Sequence, residues 1–233
     1  ACGLARRGFT SAVDGLGGPQ GFVPAHHPQH DSSEAILPDG SETSFMFADV
    51  RHKLHACCHG AHAMIEGLRN LVAAHDITAQ NLAALSIRVN PRWLKVCDIK
   101  APRTGLEVKF SYVFLAAMVL HHIDTAAYQS YDDSICGNAG LIATASKITV
   151  IGDEAISDGA VNVSADTQTG VHHKTDFDLM DPIDLSVLGP RLVAKASVLI
   201  GPARAEKIWE SMDDLDSMPA AQMARCLQPL QNA

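Results

Sequence analysis

The sequence predicts an α+β fold, and three observations carry that expectation. Apolar residues recur at three- and four-residue intervals after residue 54, the period of an amphipathic helix. Short runs near 82–90 and 147–177 alternate apolar and polar residues, the period of a half-buried strand. Helical spacing then returns from Asp184 to the end of the chain. An α+β middle flanked by helical ends follows, and no internal repeat is evident.

Residues 1–48 are rich in Gly, Pro and His. The opening ACGLARRGF reads as the last turns of a helix, while GLGGPQGF (15–22) and PAHHPQHDSS (24–33) read as loops. The run DGLGGPQG (14–21) lacks the glycine spacing of a dinucleotide loop and has no strand before it. From about Leu54 to Ala74, Met64, Ile65, Leu68, Leu71 and Val72 share one helical face. LAALSIRVN (82–90) then sets Leu85, Ile87 and Val89 against polar neighbours, a strand that stops at Pro91. A second long helix is expected from about Leu106 to His122. KITVIGD (147–153), GAVNVSADT (159–167) and GVHHKTDF (170–177) read as strands, the last two joined in a hairpin at Thr169-Gly170. LSVLGPRLVAKASVLI, ARAEKIWESMDDL and PAAQMARCLQPL are the closing helices, with Pro202 and Pro219 at helix starts.

A chain of 233 residues suits one large domain or two small ones, and either buries a substantial core. Hydrophobic residues make up 47% and charged residues 19%, which excludes a disordered chain. A net charge of -8 argues against a nucleic-acid surface, yet leaves room for a local basic pocket that binds small anions. The longest apolar stretch, YVFLAAMVL (112–120), is too short to span a bilayer. Six cysteines at uneven positions, two of them adjacent, do not form a secreted disulfide framework. A soluble protein of a reducing compartment, the cytoplasm, is the expectation, with neither nucleic acid nor membrane as partner.

The densest chemistry lies in HKLHACCHGAHAM (52–64), which holds four histidines, two adjacent cysteines and a lysine. On a helix His55 would share a face with His59, Cys58 with His62, and Lys53 with Cys57. Four readings compete. A structural zinc site normally takes two separated ligand pairs, and no second pair is present: Cys97 and Cys136 stand alone, and His172 and His173 point to opposite faces of a strand. No metal is therefore expected. Cys58 beside His59 and His62 has the makings of a nucleophile with lowered pKa. Packing of both cysteines in a core is the plainest reading. Finally, backbone N–H groups at a helix start, with Lys53 and titratable imidazoles, suit a carboxylate.

KLHACCHGAHAMIEGL (53–68) resembles the K-x-x-x-C-C-x-x-x-H…(I/A)-(D/E)-A-L segment of the MmgE/PrpD family. GFTSAVDGLGGPQGF, PRTGLEVKFSYVFLAAMVL and GVHHKTDF…PIDLSVLGPRLVAKASVLIG resemble further family passages in the same order. That family includes 2-methylcitrate dehydratases, cis-aconitate decarboxylases and iminodisuccinate epimerases. The resemblance implies that residues 1–48 are the tail of an all-helical domain, 49–180 an α+β lid domain and 181–233 helices returning to the helical domain. It implies a lyase that needs no cofactor, acts on a small polycarboxylate and forms a homodimer. Its active site would lie between the two domains, and an N-terminal helical half would be needed to complete it, so this chain alone is expected to be inactive. Lys53 falls on the family's active-site lysine and His62 on a family histidine, which assigns both to substrate binding. Cys58 occupies the position of the decarboxylases' catalytic histidine, with His59 as the nearest imidazole. Phe114 stands where those enzymes carry a tyrosine. Lys53, Cys58 and His59 are thus the expected catalytic residues, for proton movement beside a carboxylate.

Overall fold

A computed structural model describes residues 2–10, 12–19, 21–26 and 50–228. The chain divides into two compact units, Ala1–Arg51 and His52–Ala233. In the first, helices α1 (Cys2–Ala5) and α2 (Phe22–His26) are joined by turns. Asp14 organises the glycine-rich turn by accepting from the Gly17 amide through its side chain (2.7 Å) and from Gly18 through its carbonyl (3.1 Å). The expected loop at 24–33 begins inside α2, and from residue 27 onward it lies outside the described residues.

The second unit is built on a four-stranded sheet of β1 (Leu82–Val89), β2 (Ile148–Gly152), β3 (Ala160–Thr167) and β4 (His172–Asp178), in the order β2-β1-β3-β4. β1 runs parallel to β2 and antiparallel to β3, and β3 and β4 form the expected hairpin, with Gly170 at φ +80° in its turn. Alternation turns Leu85, Ile87 and Val89 inward from β1, and Val161, Val163 and Ala165 inward from β3. Leu82 also faces in, although it is an odd number of residues from Leu85. A register shift between Leu82 and Ala84 makes this possible.

Helix α3 (His62–His75) packs on β3 and β4. Gly67 permits the close approach, since a Cβ there would sit 3.2 Å from Val161 and Phe177. The second long helix of the sequence reading is in fact two helices. α5 (Gly105–Val108) follows the short α4 (Leu94–Cys97), and α6 (Tyr112–Leu120) starts afresh after Ser111. Ser111 is extended, pairs with Asp98 as an isolated bridge and accepts from the Phe114 amide, so a capping residue interrupts the apolar run. All nine residues of α6 are buried, as a helix apolar on every side requires. α7 (Ala139–Ala145) packs against α6 and leads into β2. After the sheet come α8 (Leu185–Ile200), α9 (Pro202–Glu210) and α10 (Ala220–Cys226). Pro202 opens α9 and Pro219 precedes α10, as expected. Trp209 of α9 closes on Gly189 of α8, where a Cβ would meet its ring at 2.7 Å.

Candidate functional site

The helix expected from Leu54 begins only at His62. Backbone bonding explains the delay. The Ala56 amide donates to the Thr125 carbonyl (2.8 Å) and the Cys58 amide to the Lys109 carbonyl (3.0 Å), so these donors are committed to neighbouring loops instead of an i−4 ladder. A single 3-10 turn, His59–Ala61, then leads into α3. The helical spacing behind the pairing of Lys53 with Cys57, and of His55 with His59, consequently does not hold, because residues 53–58 are not helical.

Glycine is needed inside this turn. A Cβ on Gly60 would fall 2.3 Å from the Trp93 ring, and the Gly60 carbonyl accepts from the Tyr112 hydroxyl at 2.8 Å. Tyr112 thereby ties α6 to the loop that bears the expected catalytic residues. Phe114 is buried in the core.

His62 and His59 come together, with ring centroids 5.4 Å apart, and His55 stands edge-on to His62 at 5.0 Å. His62 is almost wholly buried, and its Nε2 meets no hydrogen-bond partner among the described residues. Burial depresses its pKa to about 3, helped by the neighbouring His55 and His59 and by the Lys53 and Lys195 cations. His59 is half-buried, and its pKa is lowered by burial and by Lys53. Lys53 itself is exposed, and its carbonyl accepts from the Lys195 ammonium of α8. Neither lysine is paired with a carboxylate among the described residues. Lys195 has its pKa lowered by burial and by Lys53. Two cations and the His59 and His62 imidazoles therefore share one neighbourhood, and the Nε2 of His62 has no partner among the described residues.

The cysteines face differently. Cys57 is buried, and burial pushes its thiol up to about 12, so it is protonated near neutrality. Cys58 is half-buried and packs against the core, on the side of the buried Cys97. Among the described residues no three of His, Cys, Asp and Glu are gathered where they could hold a metal ion.

Beneath the site runs a buried polar chain that sequence reasoning missed. His55 bonds Thr125 Oγ1 through Nδ1 (2.7 Å) and Glu66 Oε1 through Nε2 (2.8 Å), and Arg191 of α8 donates to Glu66 at 2.7 Å. Burial alone would raise the Glu66 pKa, but the bonds from His55 and Arg191 outweigh it and hold the carboxyl at about 2. Glu66 stood in the quoted IEGL motif with no role attached. Arg191 lies 125 residues away, and local spacing carries no signal for such a pair.

Comparison with known proteins bears directly on this region. No curated protein matches the chain. The model of the MmgE/PrpD C-terminal domain matches residues 55–200, more than half of the sequence, and takes in Cys58, His59, His62, Glu66, Arg191 and Lys195. Lys53 lies just before the matched span. On that match the chain belongs to the MmgE/PrpD family, and the α+β unit with its following helix is the family's C-terminal domain.

Proposed function

We propose that the chain is the lid half of a lyase that moves a proton beside a carboxylate of a small polycarboxylate, after the manner of a 2-methylcitrate dehydratase. The observation that carries this reading is the buried Nε2 of His62, without a hydrogen-bond partner among the described residues and near Lys53 and Lys195, neither of which is paired with a carboxylate among those residues. In such a reaction a base takes the proton α to the carboxylate, a double bond forms, and the hydroxyl leaves as water with a proton from an acid. Cations lower the barrier by stabilising the developing enediolate. Lys53 supplies that charge, and His59 and His62 are the imidazoles within reach. Burial is the main cause of the depressed His62 pKa, and a bound carboxylate would act against it by placing a negative charge beside the ring and offsetting the smaller effects of Lys53 and Lys195. Cys58, packed toward the core, fits a supporting place better than a nucleophilic one.

The family resemblance extends the proposal to a second, helical half that supplies the opposing acid–base groups. Exposed apolar side chains on α8, among them Leu185, Val187, Val198 and Leu199, are consistent with such packing. The test is to supply the helical half in trans and assay dehydration of 2-methylcitrate, decarboxylation of cis-aconitate and epimerisation of iminodisuccinate. Dehydration is the expected activity. Turnover by residues 1–233 alone, or no turnover on any of the three substrates in the assembled protein, would remove the two-domain reading.

A further inference from the structure

The His62 ring makes no hydrogen bond among the described residues, so the groups packed about it decide where its Nε2 points. Two imidazoles lie against it. His59 is tilted at 41°, and His55 stands at 68° with the ring centroids 5.0 Å apart. The His59 ring is without a hydrogen bond among those residues too, and cannot hold its neighbour in place.

His55 differs, because both of its ring nitrogens are taken. Nε2 meets Glu66 Oε1 at 2.8 Å and Nδ1 meets Thr125 Oγ1 at 2.7 Å. Glu66 is ionised and paired with Arg191, so it only accepts; the His55 proton therefore sits on Nε2, and the Thr125 hydroxyl donates to Nδ1. One neutral tautomer follows. Turning the ring over would present carbon edges to both partners. Those partners are fixed in their turn: the Thr125 carbonyl accepts from the Ala56 amide at 2.8 Å and from the Tyr131 hydroxyl at 2.9 Å. Glu66 lies one turn after His62 on α3, so one helical face carries both the ring and the carboxylate that steers the ring's neighbour.

We infer that His55 is a positioning residue: pinned by Thr125 and Glu66, it sets the orientation of the His62 ring and keeps its Nε2 clear for substrate. The inference rests on the reading of His62 as an acid–base group. Supporting hydrogen bonds of this kind hold a reacting group near its productive geometry, where a displacement of about 1 Å costs about a hundredfold in rate. Neutrality of His55 serves the same end, because a second imidazolium beside His62 would oppose proton uptake there. Arg191 brings α8 into the chain, so the docking of that helix supports the same orientation.

The test compares Thr125→Val, which keeps the shape and removes the hydroxyl, with Thr125→Ser, which restores it. Imidazole NMR on isotope-labelled 1–233 should show His55 protonated at Nε2 alone. In Thr125→Val that signature should be lost and the His62 ring signals should shift with it; Thr125→Ser should return both. In the assembled protein, Thr125→Val should lower kcat about tenfold with KM within about twofold, and Thr125→Ser should recover kcat. His55→Phe, which keeps a ring against His62 without its anchors, should lose kcat to a similar degree. Unchanged His62 signals in a Thr125→Val protein that has lost the His55 tautomer would overturn the inference, as would full kcat in His55→Phe. An assembled wild type that turns over none of the substrates removes the lyase reading instead, and the NMR comparison still decides whether His55 orients His62.

Discussion

Glu66 is the residue on which the local electrostatics turn. It is buried, accepts from His55 and Arg191, and joins α3 to α8 across 125 positions of sequence. Replacing it with alanine would leave a guanidinium and an imidazole without their acceptor, and loss of one partner of a buried pair costs about 3–5 kcal/mol. Chemical denaturation of Glu66→Ala should show a loss of that order. His62 makes a second prediction at this scale. Its folded pKa, about 3, lies below the ordinary 6.5, so between those values the unfolded chain binds a proton that the native state refuses. Stability is therefore present above pH 6.5 and falls as the pH drops toward 3, at up to about 1.4 kcal/mol per pH unit from this one group. His55, also lowered, acts in the same direction. Denaturation midpoints measured from pH 7 to 4.5 should fall in the wild type and fall less steeply in His62→Phe. These residues were legible in the sequence to different degrees. The density of 52–64 drew notice to Lys53, His59 and His62, whereas Glu66, Arg191 and Lys195 gain their meaning only from long-range packing.

At the scale of elements, the strands were the most legible because alternation is a strictly local signal. β1, β3 and β4 begin and end within two residues of their expected bounds, and α8 spans the run read as helix. The helix starts were less so. Gly60 apart, nothing between Lys53 and Ala61 breaks a helix by composition; the competing carbonyls of Thr125 and Lys109 do, and they arrive from distant segments. The split of the second helix had a local sign in Ser111, a capping residue ahead of an apolar run. Its side chain satisfies a buried amide at 3.3 Å. Ser111→Ala should cost about 1 kcal/mol. Gly105→Ala should cost more, about 1–3 kcal/mol for overpacking, because its Cβ would fall 1.6 Å from the Tyr131 carbonyl oxygen, a backbone atom that cannot swing away. Thermal melts of the two variants give the comparison, and a larger loss in the serine variant would contradict the packing described for α5.

For the molecule as a whole, the α+β class and the family membership were both legible, because three of the four passages that carry the resemblance fall in order almost wholly within the matched residues 55–200. Among the described residues no helix is long and apolar enough to cross a membrane. The division of labour proposed above makes one residue decisive. Lys53 is exposed and its side chain forms no ion pair among the described residues, so its removal costs little folding energy. If it instead neutralises charge developing in a transition state, removal should be felt in kcat. The measurement is the dehydration rate of the assembled protein, wild type against Lys53→Ala, at saturating 2-methylcitrate with melting temperatures recorded alongside. The expected result is a fall in kcat of about a hundredfold or more, the scale of losing one transition-state charge contact, with the melting temperature nearly unchanged. Wild-type kcat in Lys53→Ala would contradict the account, because the cation placed beside His59 and His62 would then have no part in the chemistry.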